Sequence, residues 1–222
     1  MIRDKRIALV FRAASLLLAA VGLLSMTGVF RGAAHPGILV YYTTQSNILA
    51  IVLFGMLTVR TAVSLHKEEG GGAGFFSRFE MVCVIDIMLT FVVFWSLLAP
   101  AMFTMTDVYN LWSFDNLAVH GITPLLCLLD YVMFSQPRHL KYRDVFYVAV
   151  FPLVYVAATS LAGILGYVYR ISAVDGLPER FPYFFYDFDR LGAASLLYIG
   201  AMVAFFLVVA HGFYFVDTRI RK

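Results

Sequence analysis

The sequence predicts an all-α protein, a polytopic membrane bundle of six transmembrane helices with both termini in the cytoplasm. Three observations predict it: a run of long apolar segments, a composition poor in charge, and an uneven spread of Lys and Arg among the loops. The 222 residues are 61% hydrophobic and 14% charged, with a mean hydropathy of +0.82. Soluble domains carry roughly 25% charged and about 45–50% apolar residues, so a soluble fold is excluded. The net charge of +3 is modest, and the basic residues lie in loops, where they report topology rather than nucleic-acid binding.

The spans are expected at about 7–30, 38–62, 78–104, 109–134, 144–169 and 189–215, within one integral membrane domain covering 1–222. Each reaches the roughly 20 residues that a hydrocarbon core requires. The basic N-terminus before the first run reads as the flank of a retained helix, not of a cleaved signal peptide. Glu68–Gly74 reads as a flexible polar loop, and Gln136-Pro137-Arg138 as the stop of the fourth helix. Arg3, Lys5, Arg6, Arg60, Lys67, Arg78, Arg138, Lys141, Arg143, Arg219, Arg221 and Lys222 gather on one side. Only Arg31, Arg170, Arg180 and Arg190 fall on the other. The positive-inside rule therefore puts both termini in the cytoplasm, and a bacterial cytoplasmic membrane is the expected location. Cys83 and Cys127 each sit inside an apolar run and read as small buried hydrophobes.

The second span opens with Tyr41-Tyr42-Thr43-Thr44-Gln45-Ser46-Asn47, and the fourth carries His120. Lipid penalises each unsatisfied polar group, so such a cluster calls for partners or a purpose. At 1.5 Å per residue, Asn47 and His120 lie roughly 15 Å, and Thr43 roughly 9 Å, below the outer surface. Thr43 and Asn47 share a helix face, whereas Thr44 is turned about 100° away. Asn116, His120, Thr123, Cys127 and Asp130 form one stripe on the fourth helix. Pro124 removes the hydrogen bond to the carbonyl of His120, freeing that oxygen for another donor. Asp86 and Asp130 fall toward the cytoplasmic end and are expected to pair with Arg78, Arg138, Lys141 or Arg143. The fifth loop, from Asp175 to Arg190, alternates aromatic and charged residues. It reads as an interfacial anchor or as a lid through Tyr183, with Asp187 or Asp189 orienting His120.

His35, His66, His139 and His211 are scattered, so neither a metal nor a cofactor is expected. No phosphate-cradling loop or nucleophile elbow occurs. A hydroxyl, an amide and an imidazole facing one another inside a membrane are the parts of a hydrolytic site. A Thr hydroxyl becomes competent only beside a base, for which a neutral His serves, and amides of Asn47 or Gln45 would steady an oxyanion. Asn116 and Thr123 would complete the polar lining. The bland reading is that these groups are interhelical glue or a non-catalytic ligand pocket, as in a small-solute carrier.

Aromatic-Thr-x-Gln-Ser-Asn at Tyr42–Asn47, His120-Gly121-Ile122-Thr123-Pro124 with Leu128-Leu129-Asp130, and Phe181-Pro182-Tyr183-Phe184-Phe185-Tyr186-Asp187 with Leu191-Gly192 follow in order. In these segments the chain resembles a family of bacterial six-helix membrane proteins. That family is distantly similar to the androgen-induced membrane hydrolases, threonine hydrolases that cleave fatty acid esters of hydroxy fatty acids. The resemblance implies Thr43 as nucleophile and His120 as base, with a lipid-like acyl ester and membrane lipids as partners and no nucleic acid. The Gln-Ser-Asn sequence and the His-to-Pro spacing depart from the eukaryotic pattern.

Overall fold

The computed structural model describes residues 4–32, 34–67, 74–102, 110–135, 140–172 and 175–220. Six helices are long and apolar enough to cross a membrane, which makes the chain an integral membrane protein. They are α1 (Lys5–Met26), α2 (Tyr42–His66), α3 (Gly74–Val93 and on through a π-turn, Phe94–Leu98), α4 (Phe114–Phe134), α5 (Tyr142–Ile164) and α6 (Ala194–Phe215). A two-stranded antiparallel hairpin, β1 (Arg170–Ile171) with β2 (Pro178–Glu179), lies between α5 and α6. It marks one end of the bundle, the hairpin end; the chain termini mark the other.

Helix boundaries shift from expectation where the backbone turns. α1 stops at Met26, since Gly28 takes φ 80°, a left-handed conformation that glycine reaches without a Cβ penalty. Residues 38–41 are not α-helical: Pro36–Val40 is a 3₁₀ turn and Tyr41 is extended, so α2 begins at Tyr42 and runs on to His66. Gly192, at φ 55°, separates the short turn Phe188–Leu191 from α6, which therefore starts later than residue 189. The Glu68–Gly74 linker up to residue 73, Gln136-Pro137-Arg138, and the expected span ends at 104 and 109 lie outside the described residues.

α1 to α4 close into a ring in which α1 meets α2 and α4, and α3 meets α2 and α4. α5 and α6 pair with one another and lean on α3. Small residues carry the tightest approach: Ala8, Ser15, Ala19 and Gly22 are the buried stripe of α1. A Cβ added at Gly22 would lie 2.5 Å from the Ala118 Cβ of α4. The largest core patch fills the seam between ring and pair, with Tyr42, Met81, Ile85, Leu89, Tyr155 and Phe206 at its centre.

Two expected charge pairings are corrected. Asp130 is held by Arg12 of α1, through Nε–Oδ1 at 2.8 Å and Nη2–Oδ2 at 3.1 Å, while Arg12 Nη1 donates to Thr61 at 2.7 Å. Arg12 lies one ring neighbour away from the stripe, and its bidentate fork matches a carboxylate better than a distant lysine. Asp86 does not reach Arg78, which pairs with Asp144 at 2.5 Å. Asp86 instead accepts from the Tyr42 hydroxyl at 3.2 Å, and its second oxygen has no hydrogen-bond partner among the described residues. Cys83 and Cys127 are free and buried.

Candidate functional site

A cavity of about 60 Å³ opens in the seam near the hairpin end. Its walls come from α2 (Tyr42, Thr43), α3, α5, α6 and the loop carrying Tyr183, Phe185 and Tyr186. The lining is almost wholly apolar in its surface, with Thr43, Thr90 and several tyrosines as the residues that carry hydroxyls. That volume admits a few waters, and ligand pockets run to roughly 300–1,000 Å³, so a longer molecule must part the helices.

Thr43 occupies the first turn of α2, where the backbone N–H groups lack intrahelical acceptors. Tyr41, the N-cap, makes no side-chain hydrogen bond to cover them. The Tyr183 phenol fills that role from the loop, meeting the Thr43 side chain and the amides of Thr43 and Tyr42. Burial pushes the Tyr183 pKa up to about 12, and hydrogen bonds from Thr43 and the amides offset only part of this, so the phenol stays a neutral donor. Burial likewise raises Tyr186, whose hydroxyl lies 3.2 Å from Thr159 Oγ1. Tyr155 donates to the carbonyl of Val40 at 3.1 Å, tying α5 to the turn before α2.

His120 is buried on the inner face of the ring, in a π-helical turn, Ala118–Ile122. The wider turn leaves the Asn116 carbonyl facing Nδ1 at 3.2 Å. A carbonyl can only accept, so Nδ1 carries the proton and Nε2 keeps a basic lone pair. Nε2 has no hydrogen-bond partner among the described residues. The carbonyl released by Pro124 accepts from Trp95 Nε1 at 3.0 Å. The imidazole stacks on Phe94 with ring centroids 3.7 Å apart, and Phe94 in turn lines the cavity. Phe94 thus touches His120 and lines the same cavity as Thr43, and His120 is not among the cavity's walls.

The other expected site residues separate. Asn47 is fully buried, but its amide hydrogens are committed to the carbonyls of Thr43 (2.8 Å) and Val119 (3.1 Å). An amide has two donors, so Asn47 clamps α2 to α4 and has none to spare for an oxyanion. Gln45 points away from the cavity to the Leu39 carbonyl at 3.4 Å. Asn116 donates to Leu111 at 2.7 Å. Thr44 and Thr123 are fully buried outside the cavity lining, and their hydroxyls find no partner among the described residues. Between the adjacent threonines, Thr43 is the one that lines the cavity.

Asp187 and Asp189 do not orient His120. Asp187 caps the turn Phe188–Leu191 through the amides of Asp189 and Arg190, and Asp189 pairs with Arg180 at 2.8 Å. Their own loop satisfies them first, because capping partners two or three residues away cost little chain entropy. The loop aromatics do turn inward: Phe181, Phe185 and Tyr186 are buried, while Phe184 stays exposed.

Sequence reasoning overlooked Tyr155, Thr159 and Tyr186. The signal available was the density of tyrosines flanking the fifth loop, which read there as an interfacial belt. Compared with the known protein families, with curated proteins and with solved structures, the chain gave no match in any of the three. What the fold defines is a class: a six-helix integral membrane protein with an apolar cavity lined by Thr43 and several tyrosines.

Proposed function

We propose that the chain takes a lipid-like acyl ester into the seam cavity and hydrolyses it, with Thr43 as nucleophile and His120 as base. One observation carries this: in an apolar cavity, Thr43 stands beside the Tyr183 phenol and the first amides of α2, which that phenol meets. An ester carbonyl at that point would accept from Tyr183 and the amides, donors of the kind that steady a tetrahedral oxyanion. Thr43 Oγ1 bonds to the carbonyl carbon as its proton passes to His120 Nε2. The alcohol oxygen departs with that proton, and water then cleaves the acyl-threonine. With the termini cytoplasmic, the cavity lies in the outer half of the bilayer, open to acyl chains arriving sideways between α5 and α3. Phe94 must swing off His120 for the proton to cross, so the resting arrangement is a closed one.

A fluorophosphonate probe tests the assignment on purified protein. Labelling is expected at Thr43, lost in Thr43→Ala and in His120→Ala, and kept in Thr44→Ala. Undiminished labelling of Thr43→Ala refutes the nucleophile. A second reading, a non-catalytic binder of the same ligands, is favoured by the ring of Phe94 between base and cavity. It predicts saturable ester binding that His120→Ala leaves intact, with no turnover in the wild type.

A further inference from the structure

The termini end carries a second, much larger recess. Its volume is about 840 Å³, and it opens between α5 and the α2–α3 face. Met56, Phe79, Val82, Val150, Phe151 and Val154 make an apolar wall, and polar residues collect at one rim. The backbone of α5 approaches α3 and α6 mainly through its 3₁₀ first turns, Tyr142–Ala149.

The rim has a defined charge. Asp144 is buried and doubly engaged: Arg78 Nε binds Oδ1 at 2.5 Å, and the Lys141 backbone N–H binds Oδ2 at 2.8 Å. Its acceptors are therefore occupied by a guanidinium and an amide. Arg78 lies over the Tyr147 ring, 4.6 Å from its centroid, which fixes its plane while leaving it partly exposed. Lys141 sits exposed on the same rim. The rim thus holds two cations against one carboxylate, and the wall below it is acyl-compatible.

The geometry points to a lipid site: one anionic glycerophospholipid, its phosphate at Arg78 and Lys141 and an acyl chain along the wall to Val154. A zwitterionic lipid fits the wall equally but brings its own cation to a rim already in excess of positive charge. This site is separate from the seam cavity and does not depend on hydrolysis there.

The test is lipid retention by native mass spectrometry from mixed micelles with equal phosphatidylglycerol and phosphatidylcholine. One basic residue near a membrane surface is worth about fivefold in lipid preference. Wild type is expected to retain phosphatidylglycerol with about that enrichment, and Lys141→Gln to bring the ratio near unity. Val154→Trp, which fills the wall, is expected to lower retention of both lipids. Lys67→Gln, at the same end but outside the recess, is expected to leave the enrichment unchanged. Full enrichment in Lys141→Gln overturns the proposal, as does an equal loss in Lys67→Gln, which would reduce the effect to the general charge of that end. Lys141→Arg restores the preference if a misfolded Lys141→Gln is suspected, and its failure to do so also counts against the site.

Discussion

Removing Asp130 alone should damage this protein far more than removing Asp130 and Arg12 together. Asp130 is 2% and Arg12 11% exposed in their side chains, so neither charge has water to fall back on. The pair is bidentate, at 2.8 and 3.1 Å, with Thr61 taking the third nitrogen at 2.7 Å and the guanidinium 5.6 Å from the Phe134 centroid. Asp130→Ala leaves a buried cation with one hydroxyl and one ring, a loss of about 3–5 kcal/mol. The double variant Arg12→Met/Asp130→Leu removes both desolvation costs, so it should lie within about 1 kcal/mol of the wild type or above it. Thr61→Val should cost about 1.5–3 kcal/mol, as for a hydrogen bond to a charged group. Reversible unfolding in mixed micelles, titrated with a denaturing detergent, measures each variant. The reasoning fails if Asp130→Ala loses less than about 1 kcal/mol, or if the double variant is as unstable as the two single losses added.

Two further outcomes follow from the loop end. A Cβ at Gly163 would lie 2.1 Å from the Arg180 carbonyl oxygen, so Gly163→Ala must displace the strand that leads into Tyr183. Probe labelling of Thr43 should fall in Gly163→Ala while the helical content by circular dichroism is unchanged; Gly166→Asn, at φ 95° with open space around it, should be milder. The second is a pH effect. Tyr183 is raised by burial from 10.0 to about 12, so folding favours its neutral form. That contribution is complete below pH 10 and is lost as pH climbs through about 12. Thermal unfolding between pH 9 and 12 should therefore steepen more in the wild type than in Tyr183→Phe, and parallel curves would show that the phenol is not held at the α2 terminus.

The six-helix architecture was legible because lipid imposes a rule simple enough to read residue by residue: long apolar runs and polar breaks. The stripe Asn116–Asp130 was legible for the same reason, since helical spacing fixes a face, and all five of its residues are buried. Partners were harder. Asp130 looked to the nearest lysines and arginines in sequence, whereas its cation stands on α1, 118 residues away. Arg12 gives no cue in the sequence, because a lone arginine in a first span resembles a flank. Spacing also gives no warning that Asn47 spends its hydrogens on two carbonyls, or that a π-turn hands Nδ1 of His120 to Asn116. Such facts depend on which helix is adjacent, and one sequence does not state adjacency.

The adjacency that matters most is the position of α3. It belongs to both the ring and the seam: it meets α2 and α4 on one side and α6 and the start of α5 on the other. Phe94 stands at the crossing, with a π-turn beginning at that residue, and it touches His120 while lining the cavity with Thr43. A second π-turn holds His120 opposite. Each inserts a residue into its helix and so re-aims one side chain without breaking the span. Paired at one contact, the two turns set the ring of Phe94 and the imidazole nearly parallel, with 19° between their planes. A purely structural interface gains little from two such departures from α-geometry. On the proposed hydrolytic reading they would serve as a gate between His120 and the cavity, which Phe94→Ala would open: faster labelling of Thr43 supports the gate, and unchanged labelling removes it.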